Sequence, residues 1–234
     1  MADNGNGQER TETPLDALGI MANSQAILGP NLRQIEMYTR RGLLSLLWHE
    51  PDHDGKACAV VMVGGAMGGT LGPGDSLFHA LGEALVQKGI PSIRMSYRKP
   101  NDMDSCCVDT AAAVQLLVGS GADKVVIMGH SFGGAVAIRV AVGLSEMVSG
   151  VVTFATQSAG CEVAGGLQGR PLLMFHGDSD SILPLEASEV VRSIAGTGDL
   201  RVMHGDDHML ANSHHEMFET TMTWLDHVFS GTTQ

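Results

Sequence analysis

Near-continuous apolar runs recur along the chain, and between them apolar positions fall at helical spacing. Ala57–Val63, Ile90–Tyr97, Lys124–Met128, Val148–Phe154 and Pro171–Phe175 read as strands covered on both faces. A shorter last strand is predicted at Leu200–Met203. Helices are predicted at Phe78–Lys88, where Phe78, Leu81, Leu85 and Val86 share a face, and at Val108–Val118, Gly134–Leu144 and Leu185–Ile194. A closing helix is predicted at Glu216–Phe229, with Met217, Met222, Leu225 and Phe229 at roughly helical intervals. Strand alternating with helix implies a parallel, doubly wound α/β sheet of about eight strands with helices on both faces.

The N-terminal part follows a different rule. Gln34–Tyr38 and Leu43–Trp48 alternate apolar and polar on either side of Arg40-Arg41-Gly42, which predicts an antiparallel hairpin at the sheet edge. Pro51–Gly55 reads as a polar turn. Residues 1–30 are rich in Gly, Asn and Thr, with one weakly apolar patch from Leu15 to Leu28. They read as a flexible leader or loosely docked arm, followed by a single α/β domain over residues 31–234.

Composition narrows the function classes. A chain of 234 residues with 44% hydrophobic content can bury one substantial core, and with only 4% aromatics that core is aliphatic and Met-rich. The net charge of −12, with 14 Lys plus Arg and no basic stripe, argues against nucleic acid and against an anionic membrane surface. The four cysteines, Cys58, Cys106, Cys107 and Cys161, have no C-x-x-C spacing and read as reduced, mostly buried thiols; Cys106 and Cys107 are expected in the core. No apolar run approaches the roughly 18 residues of a spanning helix, and the acidic N-terminus lacks the plan of a signal or transit peptide. A cytoplasmic protein without a cofactor is the expectation.

Chemistry collects at the predicted C-terminal ends of the strands, where ligands bind in open α/β sheets. Four clusters lie there: Gly64–Thr70, His130–Gly133, Asp178–Asp180 and Asp206–His208. The strand ending at Met128 runs into Gly129-His130-Ser131-Phe132-Gly133 and then directly into a helix. Gly-x-Ser-x-Gly between strand and helix is the plan of a nucleophile elbow, which lifts a serine hydroxyl above a helix N-terminus. A serine hydroxyl needs a neighbouring base, and the base needs an acceptor to orient it. Asp180 and then His208 follow in the chain, each at a strand end.

With these residues in place the sequence resembles the α/β-hydrolase superfamily, and in kind its small, lidless, dienelactone-hydrolase-like serine esterases. The resemblance runs from about Gln34 to the C-terminus. It rests on Gly64-Gly65-Ala66-Met67, the elbow, His176-Gly-Asp-Ser-Asp180-Ser-Ile-Leu-Pro184 and His208. It implies Ser131 as nucleophile, His208 as general base and then acid, and Asp180 as the orienting carboxylate. Asp178 is a rival for Asp180, and His204 and His214 are rivals for His208. The oxyanion donors implied are the N–H groups of Phe132 and of Ala66, with Met67 the runner-up because the family's usual His-Gly at this loop is absent. Met67 and Gln157 are the candidate pocket residues, and His130 is expected to pack. Arg94 and Arg98 are expected in surface ion pairs.

Only about fifteen residues separate Phe154 from the next strand, too few for a cap domain. An open site suits small or soluble esters. A dienelactone substrate is not specifically implied, since that branch carries Cys where this chain has Ser131. Two other readings stand beside the esterase. One is metal-assisted hydrolysis drawing on His176, Asp178, Asp180, His204, Asp207 and His208. The other is a non-catalytic binding or regulatory module on the same fold.

Overall fold

The computed structural model describes residues 12–52 and 57–231. In chain order the elements are α1 (Pro14–Leu18), β1 (Ile20–Gly29), β2 (Leu32–Thr39), β3 (Gly42–His49), β4 (Cys58–Val63), α2 (Pro73–Gln87), β5 (Ser92–Ser96) and α3 (Met103–Gly119). They continue with β6 (Lys124–His130), α4 (Phe132–Gly143), β7 (Val148–Phe154), β8 (Leu172–Gly177), α5 (Glu186–Ala195), β9 (Asp199–Met203) and α6 (His214–Ser230). The nine strands form one sheet in the order β1-β2-β3-β5-β4-β6-β7-β8-β9. The pairs from β5 to β9 are parallel, and those among β1, β2, β3 and β5 are antiparallel.

The period of two in β4 explains the layering. Cys58, Val60 and Met62 face one helical layer with Leu77, Phe78, Leu81 and Leu85 of α2 and Met217, Met222 and Leu225 of α6. Ala59, Val61 and Val63 face the other, with residues of α1, α3, α4 and α5. Both sets are buried, so β4 shows a continuous apolar run rather than an alternating one. Helix α4 is buried along nearly its whole length, from Phe132 through Ala141, which is why its sequence is apolar all round.

Three features differ from expectation. First, the arm expected over residues 1–30 contains two regular elements; residues 1–11 lie outside the described residues. Thr13 caps α1 in a reciprocal pair with Asp16, Pro14 opens the helix, and Gly19 closes it at φ 61. Leu18 is buried, worth about 2 kcal/mol, and the Leu15 N–H donates to Gln115 of α3. Second, β1 lies outside the predicted hairpin, so the β2–β3 hairpin is set one strand in from the edge. The expected turn at Pro51–Gly55 lies partly outside the described residues. Third, Arg94 and Arg98 are not surface residues. Arg94 sits in β5 between two other strands, so its side chain enters the layer; Nε donates to His49 Nε2 at 2.9 Å and Nη1 to the Thr70 carbonyl at 3.1 Å. The Arg98 guanidinium is buried against Asp109 of α3 at 2.5 Å.

The segment between β7 and β8 holds only a single 3₁₀ turn, Ala164–Leu167, so among the described residues no cap covers the C-terminal ends of the strands. No helix among the described residues is long and apolar enough to cross a membrane.

Candidate active site

Strand β6 passes into α4 through one residue, Ser131, at φ 55 and ψ −118. A non-glycine residue in this region carries strain of roughly 1–3 kcal/mol. The surroundings enforce it: the Ser131 N–H donates to the Phe154 carbonyl at 2.8 Å, and the Gly134 N–H returns to the Ser131 carbonyl at 3.0 Å. The flanking glycines are needed for close approach. A Cβ on Gly129 would stand 2.0 Å from the Gly133 carbonyl oxygen, and one on Gly133 would stand 2.3 Å from that of Gly64. The elbow and the loop after β4 are therefore pressed together backbone to backbone.

That contact brings the second glycine loop to the serine. Gly65 through Gly68 form a tight turn closed by a 2.9 Å hydrogen bond from Gly68 N–H to Gly65 carbonyl. A Cβ on Gly65 would lie 3.5 Å from the Cβ of Ser131. Ala66 and Met67 occupy the centre of the turn; Ala66 is half-buried, while Met67 is 93% exposed. Phe132 begins α4, where backbone N–H groups have no partner within the helix. The backbone N–H of Gln157 lies 3.5 Å from the Ser131 carbonyl, but its side-chain amide turns away and donates to Ala159 at 2.7 Å.

The acid and histidine loops sort their residues into two pairs. His208 Nδ1 meets Asp180 Oδ2 at 2.7 Å, and both side chains are largely withdrawn from solvent. His204 Nδ1 meets Asp178 Oδ2 at 2.9 Å, with the His204 side chain 85% exposed. Asp178 and Asp180 do not share a face because β8 ends at Gly177 and the chain turns there, the Asp180 N–H reaching back to the Gly177 carbonyl at 3.3 Å. The surface pair acts as a latch: Asp178 also accepts the Gly205 N–H at 2.7 Å, and the Ser179 N–H donates to the Asp206 carbonyl at 3.0 Å. These bonds hold two loops some 27 residues apart in sequence in register.

Burial works against the Asp180 carboxylate, but N–H donors from Leu183 and Ile182 and the His208 ring outweigh it and hold the group below its usual range. Asp180 is thus ionised at neutral pH and accepts only. The His208 Nδ1 must carry the proton between them, which leaves Nε2 as the basic nitrogen of the neutral ring. His176, buried beneath, places Nε2 3.3 Å from Asp180 and 3.0 Å from the Leu183 carbonyl, and Nδ1 2.7 Å from the Ser188 hydroxyl. His214, the other rival, turns instead to the Gly74 carbonyl.

His130 connects the two halves of the site. Its Nε2 lies 3.0 Å from the His208 carbonyl, and the two rings are 5.0 Å apart between centroids. The residue preceding the serine thus supports the backbone of the histidine loop. It packs, as expected from sequence, but the loop it packs against could not be read there.

The metal-ligand set His176, Asp178, Asp180, His204, Asp207 and His208 does not converge; each of the two carboxylate–imidazole pairs is already engaged with itself. Among the described residues a different group, His49, His79 and Glu83, brings potential ligand atoms within 4.8 Å of one another. There His49 Nε2 accepts the Arg94 N–H, so its Nδ1 carries a proton and has no lone pair for a cation.

A model of the dienelactone hydrolase family matches residues 86–222, more than half the chain and inclusive of Ser131, Asp180 and His208. The chain belongs to the dienelactone hydrolase family. Solved structures agree in fold. The dienelactone hydrolase from Anabaena variabilis ATCC 29413 superposes with a TM-score of 0.71 at 15% identity, covering 84% of this chain and 98% of its own. Est1E from Butyrivibrio proteoclasticus gives 0.70 at 15% identity, covering 84% and 99%. An α/β serine hydrolase without a lid from Xanthomonas campestris gives 0.63 at 17% identity, covering 87% and 95%. No match was found among curated proteins.

In this dienelactone hydrolase family member three of the four cysteines lie in the interior. Cys58, Cys106 and Cys161 are buried, and burial above all pushes the Cys106 and Cys161 thiols up to about 12, which keeps them protonated and inert. The same burial pushes the His130 imidazole down to about 4. An unfolded chain would protonate His130 near pH 6.5, so as pH falls from there the unfolded state gains a proton that the folded state refuses. Stability should drop by about 3 kcal/mol by pH 4 from this residue alone. Urea unfolding at pH 7 and pH 4.5 measures the loss, and His130→Gln should flatten the slope. A wild-type profile no steeper than that of the variant would show that His130 is not held neutral.

Proposed function

We propose that this protein is a serine hydrolase that cleaves small or soluble carboxylic esters through an acyl-enzyme. The observation that carries the reading is the 2.7 Å bond between Asp180 and His208, sheltered from solvent, in a loop whose His208 carbonyl is held by His130, the residue before the elbow serine. In this mechanism the Ser131 hydroxyl gives its proton to His208 Nε2 as Oγ bonds to the ester carbon. Asp180 holds the ring in the required tautomer and stabilises the imidazolium that forms. The N–H groups of Phe132 and Ala66, or Met67 in place of Ala66, receive the oxyanion. Collapse of the tetrahedral intermediate expels the alcohol, which takes the proton from His208. Water, deprotonated by the same nitrogen, then releases the acid.

The substrate class follows from what surrounds Ser131. Among the described residues no cap encloses it, and the loops at this end of the sheet expose Met67, Leu71, Ile182 and Met209. An open, weakly apolar surface favours short acyl groups and offers no tunnel to a long chain.

Two measurements test the assignment. p-Nitrophenyl acetate should give a burst of one equivalent of nitrophenolate, and activity should decline as the acyl chain lengthens. A fluorophosphonate should add covalently to Ser131. A folded protein that gives neither burst nor adduct would leave a non-catalytic module as the better reading.

A further inference from the structure

Strand β1 is the outermost strand of the sheet, and all of Ile20–Leu28 is exposed. Natural edges are protected by charge, proline or shortness, because their free N–H and C=O groups template pairing with another chain. β1 has none of these three protections; a register shift at each end, at Met21 and at Leu28, leaves Ala22–Ile27 as the regular part of the edge. Its ten residues, Ile-Met-Ala-Asn-Ser-Gln-Ala-Ile-Leu-Gly, include no charged residue and no proline, in a chain whose net charge is −12. At about 3.3 Å per residue it presents roughly 33 Å of edge. Its large side chains are wet: Ile27 is 85% exposed, Met21 62%, Leu28 53% and Ile20 38%.

The order of residues along β1 also makes it complementary to itself. Antiparallel pairing about a two-fold axis perpendicular to the sheet sets residues of equal parity opposite each other. With the axis at Ser24, Met21 faces Ile27, Ile20 faces Leu28, Ala22 faces Ala26, Asn23 faces Gln25, and Ser24 faces its own copy. Every large apolar side chain meets an apolar one, and every polar side chain meets a polar one. The stretch Ala22–Ile27 pairs with β2 without a register shift, so it forms a regular ladder; the irregularities fall at Met21 and Leu28 on either side. Charges lie one strand back, on Arg33 and Glu36, which are hydrogen-bonded to Gln25 and Ser24, and Arg40 and Arg41 stand beside Ile20 and Met21 at one end.

We propose that β1 is the interface of a two-fold homodimer, in which the Ile20–Gly29 edges of two copies pair antiparallel and join two nine-stranded sheets into one. A second copy is the favoured occupant because the strand matches its own reversed sequence and because an uncharged edge is where two chains of charge −12 repel least. The remaining long-range repulsion is screened by salt, with a Debye length of about 10 Å at 0.1 M, so salt should tighten the dimer.

Sedimentation velocity on the full chain between about 1 and 100 µM tests this. The expected mass is twice 24.6 kDa, with the dimer fraction rising from low to moderate salt. Ser24→Lys places like charges opposite each other on the axis while leaving a lysine able to pair with Glu36 of its own chain. Ile27→Lys charges a second, wholly exposed position. Both variants should be monomers with unchanged p-nitrophenyl acetate hydrolysis and unchanged melting at low concentration. Ser24→Cys should form a covalent dimer on mild oxidation. A wild-type chain that stays monomeric at 100 µM overturns the proposal, as does a dimer that both lysine variants leave intact.

Discussion

Replacing Ser131 with alanine is expected to lower kcat/KM for p-nitrophenyl acetate by about 10⁴-fold or more, and to abolish labelling by a fluorophosphonate. The size of the effect follows from the mechanism. In the proposed mechanism no acyl-enzyme can form without Oγ, and only the oxyanion donors and binding remain to act on water. The loss should be in chemistry rather than folding, because alanine keeps the Cβ that packs against Gly65 and the N–H that reaches Phe154. The variant should therefore melt within a few degrees of the parent. Unfolding by this substitution would point to a structural role for the hydroxyl, and retained hydrolysis would remove Ser131 from the mechanism altogether.

The second large effect separates two aspartates that lie two residues apart. Asp180→Asn should lower kcat by about 10²–10⁴-fold with little change in KM, because an amide can donate to His208 Nδ1 and so favour the wrong tautomer. The amide oxygen can still accept the Ile182 and Leu183 N–H groups, so the loop should keep its shape. Asp178→Asn should cost less than about tenfold, since Asp178 meets an exposed His204 and a backbone N–H rather than the sheltered His208 ring. Steady-state kinetics on the two variants decide the matter. Greater damage from Asp178→Asn would reverse the assignment of the acid.

The elbow was legible in the sequence because all its determinants are local. A β-strand of apolar residues, two glycines that admit close backbone approach and an apolar helix follow one another within some twenty residues. Helix α1 is also written locally, in Thr13-Pro14-Leu15-Asp16 and Gly19: cap, proline and glycine together are its signal, set among polar neighbours that read as an arm. β1 was less visible. With both faces wet, it lacks the alternation that marks a half-buried strand, and only pairing to β2 makes it one. Arg94 and Arg98 show the converse error. A charged residue near a strand end reads as exposed until the neighbouring strands are known, and β3 and β4 enclose β5.

By itself the sequence determined the α/β class, the serine at a strand-to-helix turn and the set of acids and histidines at strand ends. Each depends on residues close together in the chain. The tertiary structure decided which acid meets which histidine, where the Gly65–Gly68 turn stands against Ser131, and which strand forms the edge. Those are relations between segments far apart in sequence. A turn of the backbone after Gly177 sends Asp178 and Asp180 in different directions, and only the packing of the acid loop against the histidine loop shows that Asp180 is the one that points inward.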